Sequence, residues 1–223
     1  MKKIFALLFV AFLIVGAGCA TVKPPEQGIL GDYSQKLEKG TGDQAAYRWV
    51  KPGVDFAKYN KVMIDPVTFA PPEGEESSMK DIEPEKLKEL ADKCNAAVAK
   101  AVSAKYPVVT EPGPDVMRVR FAIIDMKKNY PVFAGVTSIL PIGLALAIVK
   151  RPVTGRWTGG GSANAQVMVK DSTTDEVIGA AQTNYEAGFF ERFSTYGTVE
   201  DAFQYFGERL VKFMDDSRIA KKQ

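Results

Sequence analysis

The chain has 223 residues, 46% of them apolar, and carries 29 basic against 27 acidic side chains, which suits one packed domain rather than two. Without Lys2 and Lys3 the balance is 27 against 27, so no basic face of the kind that nucleic acid requires is implied. Histidine is absent; this removes Ser-His-Asp and Cys-His catalysis and histidine-bearing zinc sites, and no cofactor or metal is expected.

Lys2 and Lys3 precede an unbroken apolar run over residues 4–15, and Gly16-Ala17-Gly18-Cys19 follows. A basic n-region, a short apolar h-region and small residues make an export signal, and the run is too short to span a membrane. The stretch resembles the bacterial lipobox, although Gly16 stands where that motif usually has leucine. The resemblance implies a signal peptide over residues 1–18, cleavage before Cys19, and acylation of Cys19. More than one acyl chain makes such an anchor durable. Ala20 would then be the sorting residue, and alanine there points to the outer membrane with the protein facing the periplasm. A soluble exported protein and an uncleaved anchor are the alternatives. Cys94, the other cysteine, then has no disulfide partner in the chain and reads as a buried small hydrophobe on a helix face.

Residues 19–46 read as a flexible tether, rich in Pro, Gly, Gln, Lys and Asp, with a coil-like reach of about 30 Å. Within it Ile29, Leu30 and Tyr33 are more apolar than a spacer needs, so this part can dock back. The single domain is expected over residues 47–217, with a polar tail at 218–223. Tyr47-Arg48-Trp49-Val50 predicts a strand stopped by Pro52-Gly53, and residues 61–69 a longer one in which Pro66 argues for an edge or a bulge. The clearest helix is predicted from Pro84 to Tyr106, with Leu87, Leu90, Ala91, Cys94, Ala97, Val98, Ala101 and Val102 at helical spacing and Pro107 ending it.

Over residues 116–127 Met117, Val119, Phe121 and Ile123 alternate with polar positions, the pattern of a strand with one buried face. Arg118 and Arg120 share the other face, where they could hold an anion or simply pair with acids on a neighbouring strand. Residues 132–149 contain no charge, and Gly135, Pro141 and Gly143 interrupt them. The segment reads as a buried hairpin or helix, or alternatively as a membrane-contacting or self-associating surface with Leu140, Pro141, Gly143 and Leu144 at its centre, which would make the protein a homo-oligomer. The loop at 158–161 lacks the lysine and spacing of a phosphate loop.

A hairpin is predicted from residues 162–171 and 176–187 around an Asp/Ser/Thr turn. The aromatics Phe189, Phe190, Phe193 and Tyr196 could fill a core or grip a ligand. A last helix, capped by Thr198, has Ala202, Phe203, Phe206, Leu210 and Phe213 as its packing stripe. Together these elements predict an α+β two-layer domain, a mainly antiparallel sheet with two amphipathic helices on one face.

Gly31-Asp32-Tyr33-Ser34, Pro52-Gly53-Val54-Asp55-Phe56, Lys61-Val62-Met63-Ile64-Asp65-Pro66-Val67, Glu111-Pro112-Gly113-Pro114 and Leu140-Pro141-Ile142-Gly143-Leu144-Ala145 resemble a family of bacterial lipoproteins known only as a domain of unknown function (family 3313). The resemblance implies a lipid-anchored, periplasm-facing, single-domain protein and transfers no catalytic or ligand residue. The functional expectation is a non-enzymatic envelope protein that binds or assembles with a partner and meets the membrane through its N-terminal lipid. A glycan-acting enzyme built on carboxylates alone is the other class, but no pair among Asp65, Asp125, Asp175 and Glu186 stands out.

Overall fold

A computed structural model of the chain describes residues 28–42, 44–71, 79, 82–127, 162–186 and 197–220. Cys19 and Ala20, the uncharged segment with Leu140, Pro141, Gly143 and Leu144, the glycine loop, and the aromatics from Phe189 to Tyr196 lie outside the described residues. Seven strands form one sheet: β1 (Glu38–Lys39), β2 (Tyr47–Val50), β3 (Lys61–Ile64), β4 (Thr68–Phe69), β5 (Val116–Lys127), β6 (Ser162–Asp171) and β7 (Val177–Glu186). Their order is β1-β2-β7-β6-β5-β3, with β4 also on β5. Among the named strands of the described residues, β3 and β4 pair with β5 in parallel; the other pairings are antiparallel. Helices α1 (Pro84–Ser103) and α2 (Gly197–Ala220) cover one face, as the α+β expectation requires.

The parallel pairings have a simple origin. A chain that leaves β4, runs through α1 and re-enters the sheet at β5 has made a crossover, and crossovers join parallel strands. The strand expected over residues 61–69 is two short strands, because the segment between them spends its polar groups elsewhere. Pro66 has no N–H to give, the amide of Val67 donates to the Asn95 side chain at 3.0 Å, and the Asp65 carboxylate takes Arg118. The pair lies at the sheet edge, where proline is tolerated.

On the helix face Met117, Val119, Phe121 and Ile123 of β5 are all buried, as the alternation requires. The alternation then ends: Ala122 and Ile124 are buried too, and a bulge between Ile123 and Asp125 returns Met126 to the face opposite Ala163. Helix α1 buries Leu90, Cys94, Val98 and Val102, one stripe spaced by four residues, with Cys94 at 0% exposure. Helix α2 buries Ala202, Phe203, Phe206, Leu210 and Met214, and Phe203 meets Phe121 edge-on at 5.9 Å. The two helices cross closely at Gly207, where an added Cβ would stand 2.8 Å from Ala101 Cβ and 3.2 Å from the Val98 carbonyl oxygen. Among the described residues no helix is long and apolar enough to cross a membrane.

The other face of the sheet is covered from the N-terminal side. Gly28–Lys36 is a kinked 3₁₀ segment with Leu30 and Ser34 buried. Its Ile29 amide donates to Gln166 Oε1 at 3.0 Å, and Gln166 Nε2 donates to Gln182 Oε1 at 3.1 Å. Both glutamines are buried, and leaving either amide without partners would cost about 1–3 kcal/mol. Tyr33 packs on Trp49 at 5.1 Å. The docking expected of Ile29, Leu30 and Tyr33 is therefore present, and from Gly28 onward the chain is folded against the sheet rather than being a free coil as far as residue 46.

Candidate functional site

Strand β7 reads Val-Ile-Gly-Ala-Ala-Gln-Thr from Val177, unusually small for a strand beneath a helix rich in phenylalanine. Gly179 and Ala181 lie on the face that looks at α2, since Ala181 is opposite Val167 and Gly179 opposite Val169. Small side chains below large rings leave space between sheet and helix. The result is a cleft of about 610 Å³, with Gly179, Ala181 and Val167 in its floor and Phe206, Leu210 and Phe213 in its wall. Packed interiors contain few voids beyond the size of a water molecule, whereas ligand clefts commonly run to about 300–1,000 Å³ with mainly apolar linings.

The charged groups of this cleft are mostly cationic. Arg48, Arg209, Lys212 and Asp216 belong to its lining. Lys212 Nζ pairs with Asp216 at 3.2 Å, one helical turn away. Arg209 Nη2 donates to Tyr205 Oη at 2.6 Å and lies over that ring at 4.9 Å. Arg48, half-buried on β2, stands over the Phe213 ring at 5.8 Å, and among the described residues no carboxylate pairs with it. The cleft thus offers an apolar body with the Arg48 guanidinium at its β2 side.

Three other polar clusters explain themselves as structural locks. Asp171 Oδ2 accepts hydrogen bonds from Lys58 Nζ at 2.9 Å and Tyr59 Oη at 2.8 Å, while Oδ1 closes the β6–β7 turn by accepting from the amides of Thr173 and Thr174. Burial alone would push this carboxyl up, but the bonds from Lys58, Tyr59 and the two amides outweigh it and hold it well below the usual carboxylate range. Tyr106 Oη donates to Asp215 Oδ1 at 2.5 Å, and the Arg218 guanidinium covers the Tyr106 ring at 4.6 Å, which ties the end of α1 to the end of α2. Burial first, and then the bond to Asp215, raise the Tyr106 hydroxyl to about 12.

The third lock holds one of the two arginines singled out above. Arg118 Nε donates to both Asp65 oxygens at 2.9 Å, and Nη1 reaches Asp175 Oδ1 at 3.4 Å. Asp175 is also bound by Lys170 at 2.8 Å, and the Lys170 ammonium keeps its carboxyl below the ordinary value. Two of the four candidate carboxylates are thus brought together, on either side of an arginine. Arg120 is exposed on β5. Neither arginine lines the cleft. Arg48 carried no signal of its own in the sequence, where it is one residue of a short strand; only the strand order, which puts β2 beside β7, brings it under α2. Among the described residues no group of three or more His, Cys, Asp or Glu side chains could hold a metal ion.

A two-layer α+β domain with an apolar cleft between sheet and helix is what fold and geometry define. The chain belongs to the family described as a protein of unknown function (DUF3313), which matches residues 25–210. Over 142 residues it is 28% identical to the uncharacterized lipoprotein YdcL of Escherichia coli K12, an alignment that covers 60% of this chain and 61% of that relative; the chain thus spans less than two thirds of the relative's length. Among solved structures it is similar to the PelC dodecamer from Paraburkholderia phytofirmans, at 9% identity and a TM-score of 0.38 over 73% of this chain and 94% of that one. It is also similar to protein XCC0632 from Xanthomonas campestris, at 11% identity and a TM-score of 0.40 over 78% and 95%.

Proposed function

We propose that this protein is a lipid-anchored component of the cell envelope, held through Cys19 in the outer membrane and facing the periplasm, and that it works as a non-enzymatic binding or assembly module through the cleft beneath α2. The anchor is supported by the basic, apolar and small-residue order of residues 1–19 and by the relation to a lipoprotein. The absence of enzymatic activity is supported by the lack of histidine and by the engagement of Asp65 and Asp175 with Arg118. The observation that carries the binding role is the cleft itself, about 610 Å³ of mostly apolar space above the small residues of β7.

Each half has its own test. Mass spectrometry of the mature amino terminus should find an acylated peptide beginning at Cys19, and Cys19→Ser should lose both the acyl mass and retention in the outer-membrane fraction. A mature chain that begins elsewhere, or an unmodified thiol on a protein that washes free, would overturn the anchor. For the cleft, the neutral fluorescent probe N-phenyl-1-naphthylamine should brighten with the wild-type protein. Ala181→Phe, which fills the floor, should remove most of that signal; an unchanged signal would place the probe elsewhere and overturn the binding site.

A further inference from the structure

We infer that the occupant of the cleft is a single-chain fatty acid, its hydrocarbon lying between β7 and α2 and its carboxylate meeting Arg48. The inference rests on the reading of the cleft as a binding site and adds the chemistry of the ligand. The floor offers little to a ligand that needs backbone hydrogen bonds. Strand β7 is paired on both sides from Gly179 to Gln182, with β2 along one edge and β6 along the other. Its amides and carbonyls are consumed by those ladders, so an extended peptide cannot add to it there. What remains for contact is the hydrocarbon of Ala181, Val167, Phe206, Leu210 and Phe213, and surface of that kind rewards an apolar chain in proportion to the area it covers.

Charge complementarity supplies the head group. Lys212 and Asp216 neutralise each other, whereas Arg48 has the face of Phe213 as its neighbour and forms no ion pair among the described residues, although Glu38 stands across from it on β1. A half-buried guanidinium over an aromatic ring keeps its fork of donors for a planar anion, and a carboxylate fits that fork with two parallel hydrogen bonds. A guanidinium at one side of an apolar cleft is the pairing that the single carboxylate of a fatty acid suits.

The test uses the full-length protein in amphipol, titrated with the fluorescent fatty acid cis-parinaric acid and competed with palmitate or with the uncharged hexadecanol. Saturable binding at one acid per chain is expected, with palmitate competing better than hexadecanol. Arg48→Gln, which removes the charge and the paired donors, should weaken the acid by at least about tenfold and leave hexadecanol unchanged. Ala181→Phe should abolish binding of both, with circular dichroism reporting whether it folds and Thr183→Phe as a second way to fill the floor. Equal effects of Arg48→Gln on acid and alcohol, or an acid that binds no better than the alcohol, would overturn the inference. If the neutral naphthylamine probe still responds to the floor substitutions while the acid fails to bind, the ligand class is wrong and the cleft stands. If both floor variants fold and neither affects any probe, the cleft falls as well.

Discussion

Five hydrogen bonds converge on the carboxylate of Asp171. The residue is 7% exposed and joins the turn after β6 to the Lys58–Tyr59 corner. A buried acceptor with charged and neutral donors on both oxygens is where a single-atom change is felt most. Asp171→Ala, which strands Tyr59 Oη and two turn amides, should destabilise the fold by about 3 kcal/mol, read as a shift of the urea midpoint at constant slope. The pH dependence follows from the sign of the shift. The folded carboxyl titrates below the unfolded one, so its stabilising contribution is fully present above about pH 4, the unfolded value, and is lost as the pH falls through the folded value. Asp171→Asn should flatten that acid limb; a variant that loses stability on acidification as steeply as wild type would show that other carboxyls dominate it.

The helix pair sets the second scale. Helices α1 and α2 touch at Gly207, and the atoms nearest a new Cβ include the Val98 backbone and Ala101 Cβ, none of which can rotate away. Replacing glycine by alanine in a helix gains about 1 kcal/mol of propensity, while overpacking a tight contact costs about 1–3 kcal/mol. Gly207→Ala should therefore lower Tm by about 3 °C, and it should be better tolerated in an Ala101→Gly background, where the closest contact is gone. A Gly207→Ala protein more stable than wild type would mean that the helices part at little cost. The same pair is fastened at its end by Tyr106 and Asp215. Because the folded hydroxyl titrates at about 12 against about 10 when unfolded, its stabilising contribution is whole below pH 10 and declines as the pH climbs towards 12. Tyr106→Phe should be less stable at neutral pH and show a shallower alkaline decline, followed by equilibrium unfolding between pH 8 and pH 12.

Most of these elements could be read from residues alone, because each has a periodic apolar set: Leu90, Cys94, Val98 and Val102 in α1, Met117 to Ile123 in β5, Ala202 to Phe213 in α2. The break of the edge strand at Pro66 was partly visible, since a missing N–H is a local property. The β5 bulge was not, because it answers to the register with β6 rather than to anything in β5. Nor was the cleft. Its lining comes from β2, β5, β6, β7, α2 and the segments around residues 41–45 and Phe56, and its volume arises from the smallness of Gly179 and Ala181 beneath distant phenylalanines, a relation between segments that no spacing within one segment records.

At the scale of the whole molecule, the N-terminal segment decides how the domain hangs from its anchor. With Gly28–Lys36 docked on Gln166, residues 19–27 separate the proposed lipid from the docked segment, and a flexible chain of that length would have a typical reach of about 16 Å. If the segment lets go as far as β1, the leash grows to residues 19–37 and about 24 Å. Docking and reach are thus one equilibrium, and Leu30, 1% exposed, is the apolar contact that biases it. Truncating a buried leucine costs about 2–5 kcal/mol where the structure cannot yield, but a terminal segment can open locally without unfolding the sheet. Leu30→Ala should therefore expose Lys36 to trypsin many-fold faster than in wild type and alter Trp49 fluorescence as Tyr33 leaves its ring, while the midpoint for global unfolding moves little. A variant in which cleavage at Lys36 stays slow and the whole domain melts earlier would show instead that this segment is an inseparable part of the core, and that the leash has one length only.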